Sequence, residues 1–166
     1  MSLRDDERSQ AIQIGAVLLF AILIILFAIY QAFIVPTQNR KVEFNHNERV
    51  QGDMVELRNA LLEAKSSGED TFASVDLGTE FPPRLLAINP GAPSGSLRST
   101  SLRPIVIEEI GGAEITDQVC PGNDHRTRFV EYAPNYAEYG EPGRIRYEHS
   151  LLYHEFRDGL VRLTNQ

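Results

Sequence analysis

The sequence predicts an α+β chain: an N-terminal transmembrane helix, an amphipathic helix, and then a β-rich antiparallel, sandwich-like domain. Three observations carry this. Residues Ala11 to Val35 run without a charge, and Val50, Met54, Leu57 and Leu61 recur at helical spacing. From Asp70 onward, short runs of branched and aromatic residues alternate with turn-forming clusters. The segments are then a charged leader over 1–10, the transmembrane helix over 11–35, a joint and amphipathic helix over 36–69, and the β-rich domain over 70–166.

The first helix reads AIQIGAVLLFAILIILFAIYQAFIV, with Gln13 and Gln31 as its only strongly polar side chains, one near each end. At 1.5 Å per residue such a helix is about 37 Å long, enough to cross a hydrocarbon core of about 30 Å with some tilt. A helix also satisfies its own backbone polar groups, as lipid requires. Tyr30 falls near one boundary, where an amphipathic ring is favoured. Pro36 is expected to end the helix, because it biases the preceding residue away from helical geometry. A secretory signal peptide has a shorter apolar region and a small-residue cleavage site after it; IVPTQNRK supplies none. Arg4 and Arg8 flank one end and Arg40 and Lys41 the other, a near tie in the basic residues that set orientation.

The second helix is expected over Glu48 to Ser67. Its apolar stripe covers one face, Asn47 stands where a cap belongs, and Gly68 follows as a stop. Two readings fit the stripe: packing on the chain's own domain, or continuation of the anchor into a coiled stalk or oligomer seam. Beyond Asp70 the runs TFASVDLG, RLLAINP, LRPIVIEEI, TRFVEY, RIRYEHSLLY and GLVRLTN are expected strands. FPPR, IGGAE, PGNDH, APNY and GEPG supply turns, and NPGAPSGSLRSTS reads as an exposed polar loop.

Composition bounds the function. The net charge is −7, from 16 basic and 23 acidic residues, and only Lys41 and Lys65 are lysines. An acidic, arginine-biased surface fits concentrated salt or a GC-rich genome. Nucleic acid is not an expected partner, because no basic face is available to neutralise phosphates. Cys120 is the lone cysteine, which rules out an intrachain disulfide.

The candidate chemical constellations are weak. His149 and His154 bracket SLLY; five positions apart, they point to opposite faces of a strand and diverge by about 140° on a helix. Cys120 and His125, with Asp117 nearby, are close in sequence, which is poor support for a thiol nucleophile and its base. Glu108 and Glu109 are adjacent and so point opposite ways. Tyr132, Tyr136, Tyr139, Tyr147 and Tyr153 form a loose aromatic group, expected as partly buried sheet residues ahead of a contact surface. Gly111 and Gly112 lack the spacing of a phosphate loop. No enzyme activity, cofactor or metal site is expected.

The N-terminus reads MSLRDDERSQ, and the junction RSQAIQIGAVLL. This resembles the class III signal of archaeal type IV pilins and pilin-like proteins: a short charged leader, a basic residue, a small residue at the cleavage point, then the hydrophobic helix. Arg8 and Ser9 stand at the basic and small positions, and Gln10 at the first residue of the mature chain. Gly15 falls where haloarchaeal pilins carry a glycine. Ser9 departs from the more usual glycine or alanine. FNHNERVQGDMVELRNALLEAKSSGE and RIRYEHSLLYHEF resemble largely uncharacterised haloarchaeal surface proteins, usually longer than this chain, of which it reads as a short member or a fragment. The resemblance implies leader cleavage between Ser9 and Gln10 and a helix retained in the membrane. It also implies an extracellular C-terminal domain and a structural or assembly role. The expected partners are the lipid membrane and sister copies or other pilin-like subunits. The alternative is a single-pass anchored binding or sensor module that does not polymerise.

Overall fold

The computed structural model describes residues 3–106, 116 and 126–164, with side chains from Gln10 onward. Its N-terminal part is one helical rod. Helix α1 (Leu3–Ile29) passes through a π-helical turn, Tyr30–Ile34, directly into α2 (Val35–Ser67). Pro36 therefore does not end the helix, contrary to the sequence expectation. A proline inside an α-helix lacks one N–H, and its ring meets the carbonyl four residues back. Here the turn just before it is widened, so that the Val35 N–H reaches the Tyr30 carbonyl five residues back. Such π-bulges accommodate local irregularity without breaking a helix. Asn47, expected as a cap, lies mid-helix for the same reason. The stop at Gly68 is as expected: φ is +74°, a left-handed conformation glycine adopts without penalty, and its N–H bonds the Ala64 carbonyl at 2.9 Å.

Among the described residues, five antiparallel strands form one open sheet against α2. In spatial order they are β1 (Ser94–Ser99), β4 (Val130–Asn135), β5 (Arg144–Glu148), β6 (Leu151–Phe156) and β7 (Gly159–Arg162). Two short strands, β2 (Arg103–Pro104) and β3 (Arg126–Thr127), pair separately. The chain is thus α+β with an antiparallel sheet, and a helix forms the layer covering the sheet's inner face.

That inner face follows from the two-residue period of strands. Tyr132, Ile145 and Leu152 point towards α2 and meet Val50 and Met54, all five fully buried. Leu97 and Tyr147 pack at the margin. The stripe packs α2 on its own domain, as the first reading expects, and α2 also continues the rod without a break. Burying such side chains contributes roughly 1.5–3 kcal/mol each.

Several strands differ from expectation. SGSLRS, read as loop, is edge strand β1, paired with β4 from Ser94↔Asn135 to Ser99↔Val130. A Cβ at Gly95 would lie 2.3 Å from the Tyr132 hydroxyl oxygen, so glycine there is what admits the ring. RIRYEHSLLY is not one strand: His149 and Ser150 both have positive φ and form the two-residue turn between β5 and β6. TFASVDLG and RLLAINP form no strands. Apart from one isolated bridge between Gly78 and Ser94, they run as extended coil and turn. Side-chain anchors replace a ladder there, including Asp53 Oδ2 accepting the Asp76 N–H at 2.9 Å.

Candidate functional site

The feature that dominates the molecule is the bare part of the rod. From Gln10 to Ile34 no residue is buried, and the large apolar side chains stand in the open: Ile12 is 73% exposed, Phe20 65% and Phe33 69%. Such exposure in water is expensive, at about 25 cal/mol per Å² of apolar surface. The helix is long and apolar enough to cross a membrane. Gln10, the second residue of the expected cleavage pair, is exposed; it and Ser9 both lie within α1.

Where the rod meets the rest of the chain, its inward positions become polar. Val35, Asn39, Glu43, His46, Asn47, Val50 and Met54 are the buried residues of α2 and form one continuous stripe. The sequence reading found only the lower half, because it sought apolar residues. The upper half is a set of tethers. Glu43 accepts the backbone N–H groups of Ala137, Glu138 and Tyr139 at 2.9, 2.8 and 2.5 Å. His46 Nδ1 meets the Tyr136 hydroxyl at 2.7 Å, with the rings edge-on. Burial, aided by Arg49 and opposed by Asp76, holds His46 below its ordinary value. Burial likewise pushes the Tyr136 hydroxyl far upward. Arg84 donates to Asn39 Oδ1 at 2.6 Å, and Gln31 makes two bonds to the backbone of Ile88, at 2.7 and 3.2 Å. These residues form a collar that fixes the domain to the rod.

The outer face of the sheet carries charge. Glu131, whose side chain is 2% exposed, meets Arg98 at 2.6 Å, Arg146 at 2.7 Å and Arg144 at 3.7 Å. Burial alone would raise its carboxyl, but the hydrogen bonds from Arg98 and Arg146, with Arg144 behind them, hold it below the usual range. Arg146 also pairs with Glu155 at 2.9 Å and, with Arg103, lies over the Phe129 ring. An open hollow of about 530 Å³ beside this cluster is lined by Pro134, Pro142, Arg144, Glu155 and Arg157, among others. Glu131 and Glu155 already engage the central arginines, so the cluster works chiefly as a polar cover on the sheet. Sequence reasoning missed it; the R-x-R of β5 opposite a glutamate was the available signal.

The histidine pair does not converge. His149 sits in the β5–β6 turn, whereas His154 is buried on the inner face and donates Nε2–H to the Pro142 carbonyl at 2.6 Å. Burial keeps His154 below its ordinary value, against the pull of that carbonyl. Among the described residues no group of His, Cys, Asp and Glu is placed to hold a metal. The tyrosines divide: Tyr132, Tyr136 and Tyr147 lie on the α2 side, Tyr139 sits edge-on to Phe44, and Tyr153 reaches Glu148. Glu108, Glu109, Gly111, Gly112, Asp117, Cys120 and His125 lie outside the described residues.

An uncharacterized protein of Archaeoglobus fulgidus is similar to this chain, 31% identical over 153 residues. The match takes in 89% of this chain but 25% of that protein, so the chain spans about a quarter of its relative's length. No family model matches the sequence, and no solved structure matches it.

Proposed function

We propose that this chain is a single-pass membrane protein of an archaeal cell envelope, with a pilin-like structural or assembly role. In this reading the apolar rod lies in the bilayer, the β domain is extracellular, and the acidic, lysine-poor surface is an adaptation to high salt. Catalysis, cofactors and nucleic acid have no part in it. The observation that carries the reading is the rod from Gln10 to Ile29, apolar and exposed throughout, running through the π-turn without a break into the helix on which the sheet is built. A rod of that kind has two ways to leave water: lipid, or the rods of sister subunits. The archaeal relative and the class III-like RSQAIQIG junction support the pilin-like form.

The second reading is an anchored binding or sensor module that never polymerises. One observation favours it: the segment around Ile88 is bonded to Gln31, where it occupies a flank that a sister rod would need for close packing. Mass spectrometry of the chain made in an archaeal host separates the two. A mature N-terminus at Gln10 supports pilin-type processing, and a membrane-bound chain that keeps Met1 rejects it in favour of the anchored module. Protease treatment of intact cells tests the orientation: removal of the β domain is expected, and its protection would overturn the extracellular placement.

A further inference from the structure

The connection between α2 and β1 makes a detour to the rod and presents apolar residues there. Leu85, Leu86 and Ile88 are 87%, 70% and 74% exposed, within one short turn closed by the Ala87 N–H on the Arg84 carbonyl. Leu86 holds a left-handed φ of +62°, a conformation non-glycine residues seldom adopt. A soluble loop has no reason to display three such side chains together.

Their height along the rod is fixed. The backbone of Ile88 is held by both polar atoms of the Gln31 side chain, and Arg84 and Asn89 are held at Asn39. The turn therefore lies between the levels of Gln31 and Asn39, which are about 12 Å apart on a helix. Ala11 to Gln31 spans about 30 Å, the thickness of a hydrocarbon core, and Ala11 to Asn39 spans about 42 Å, that of a bilayer with its headgroups. The first charges beyond the apolar run are Arg40 and Lys41. If the rod is in the membrane, the Leu85–Ile88 turn is at the boundary between acyl chains and headgroups.

Resting on the anchor reading, we propose that the Arg84–Ile88 turn is a second membrane contact: Leu85, Leu86 and Ile88 dip into the bilayer beside the rod. Arg84, Arg40 and Lys41 face the phosphates above them. Two points of attachment on one surface restrain the tilt and rotation of the β domain, where a lone helix would leave it free to swivel. The lipid, and not a second copy, is the occupant favoured here because the turn is continuous with the rod's own lipid-facing surface.

The sequence contains no tryptophan, so a single introduced one reports its own surroundings. The full-length chain carrying Leu85→Trp is reconstituted at high lipid excess in vesicles of equal parts phosphatidylcholine and phosphatidylglycerol. Ile22→Trp, inside the rod, and Leu160→Trp, on exposed β7, serve as references. The expected result is blue-shifted emission from Leu85→Trp that is lost when the acyl chains are brominated near the headgroup, with Leu160→Trp unaffected. Quenching of Ile22→Trp by lipids brominated towards the ends of the acyl chains, with no quenching of Leu85→Trp by those brominated near the headgroup, overturns the proposal while leaving the anchor intact. A Leu85→Trp blue shift that disappears on dilution with lipid assigns the turn to a second copy and also overturns it. Failure of lipids brominated towards the ends of the acyl chains to quench Ile22→Trp rejects the anchor reading and this one together.

Discussion

Glu43 on the rod accepts the backbone N–H of Ala137, 94 residues away in sequence, at 2.9 Å. The same carboxylate takes the next two N–H groups, so one fully buried side chain caps the connection between β4 and β5. Backbone donors buried without an acceptor are costly. Glu43→Ala leaves three of them unmet and is expected to lose on the order of 3 kcal/mol of stability. Glu43→Gln, which keeps one acceptor oxygen, is expected to lose less. Chemical denaturation in detergent measures both; a Glu43→Ala protein as stable as the parent would contradict the tether.

Glu131 and Arg98 are a partnership of unequal members. The glutamate side chain is 2% exposed and serves several arginines, whereas the Arg98 side chain is 59% exposed. Removing Glu131 leaves Arg98, Arg144 and Arg146 crowded together without their shared counterion. Glu131→Ala is therefore expected to cost about 2 kcal/mol or more, and Arg98→Ala less than about 1 kcal/mol, as for exposed ion pairs. The same denaturation curves test the ranking, and equal losses would contradict it.

Stability should fall on mild acidification. His46 and His154 are both held below the ordinary histidine value of 6.5 by burial. Above 6.5 both are neutral whether the chain is folded or unfolded, and they impose no pH dependence. Below it the unfolded chain takes up protons that the folded one resists, so stability declines as pH drops. Glu131 adds a second loss at lower pH: its carboxyl is held below 4.5 in the fold, so its contribution is complete above that value and disappears as pH falls through the folded value. Denaturation midpoints measured across pH should be flat from 8 to 7 and fall below about 6.5. A profile flat down to pH 5 would contradict the buried neutral histidines.

The legible part of the fold was what depends on local pattern. The apolar run, the stripe through Val50 and Met54, and the stop at Gly68 are all visible because each is decided by residues within a turn or two. The strand runs TRFVEY and GLVRLTN correspond to β3–β4 and β7 for the same reason. What stayed hidden depends on distant partners. Asn39, Glu43 and His46 look like solvent-facing residues until the segments around Asn89 and Tyr136 are brought to them. SGSLRS looks like loop because its glycine and serines are poor strand formers; it becomes β1 through pairing with β4 and the space Gly95 leaves for Tyr132. Pro36 reads as a terminator unless the π-turn before it is known. The cleavage pair Ser9–Gln10 was read from the resemblance, and its test is chemical.

The proposed function requires the exposed apolar rod to lie in a bilayer. Fractionation of cells making the full-length chain, followed by an alkaline carbonate wash, decides whether it does. The chain is predicted to stay with the membrane pellet and to be released by detergent alone. Recovery of a monodisperse, full-length protein in detergent-free buffer would contradict it.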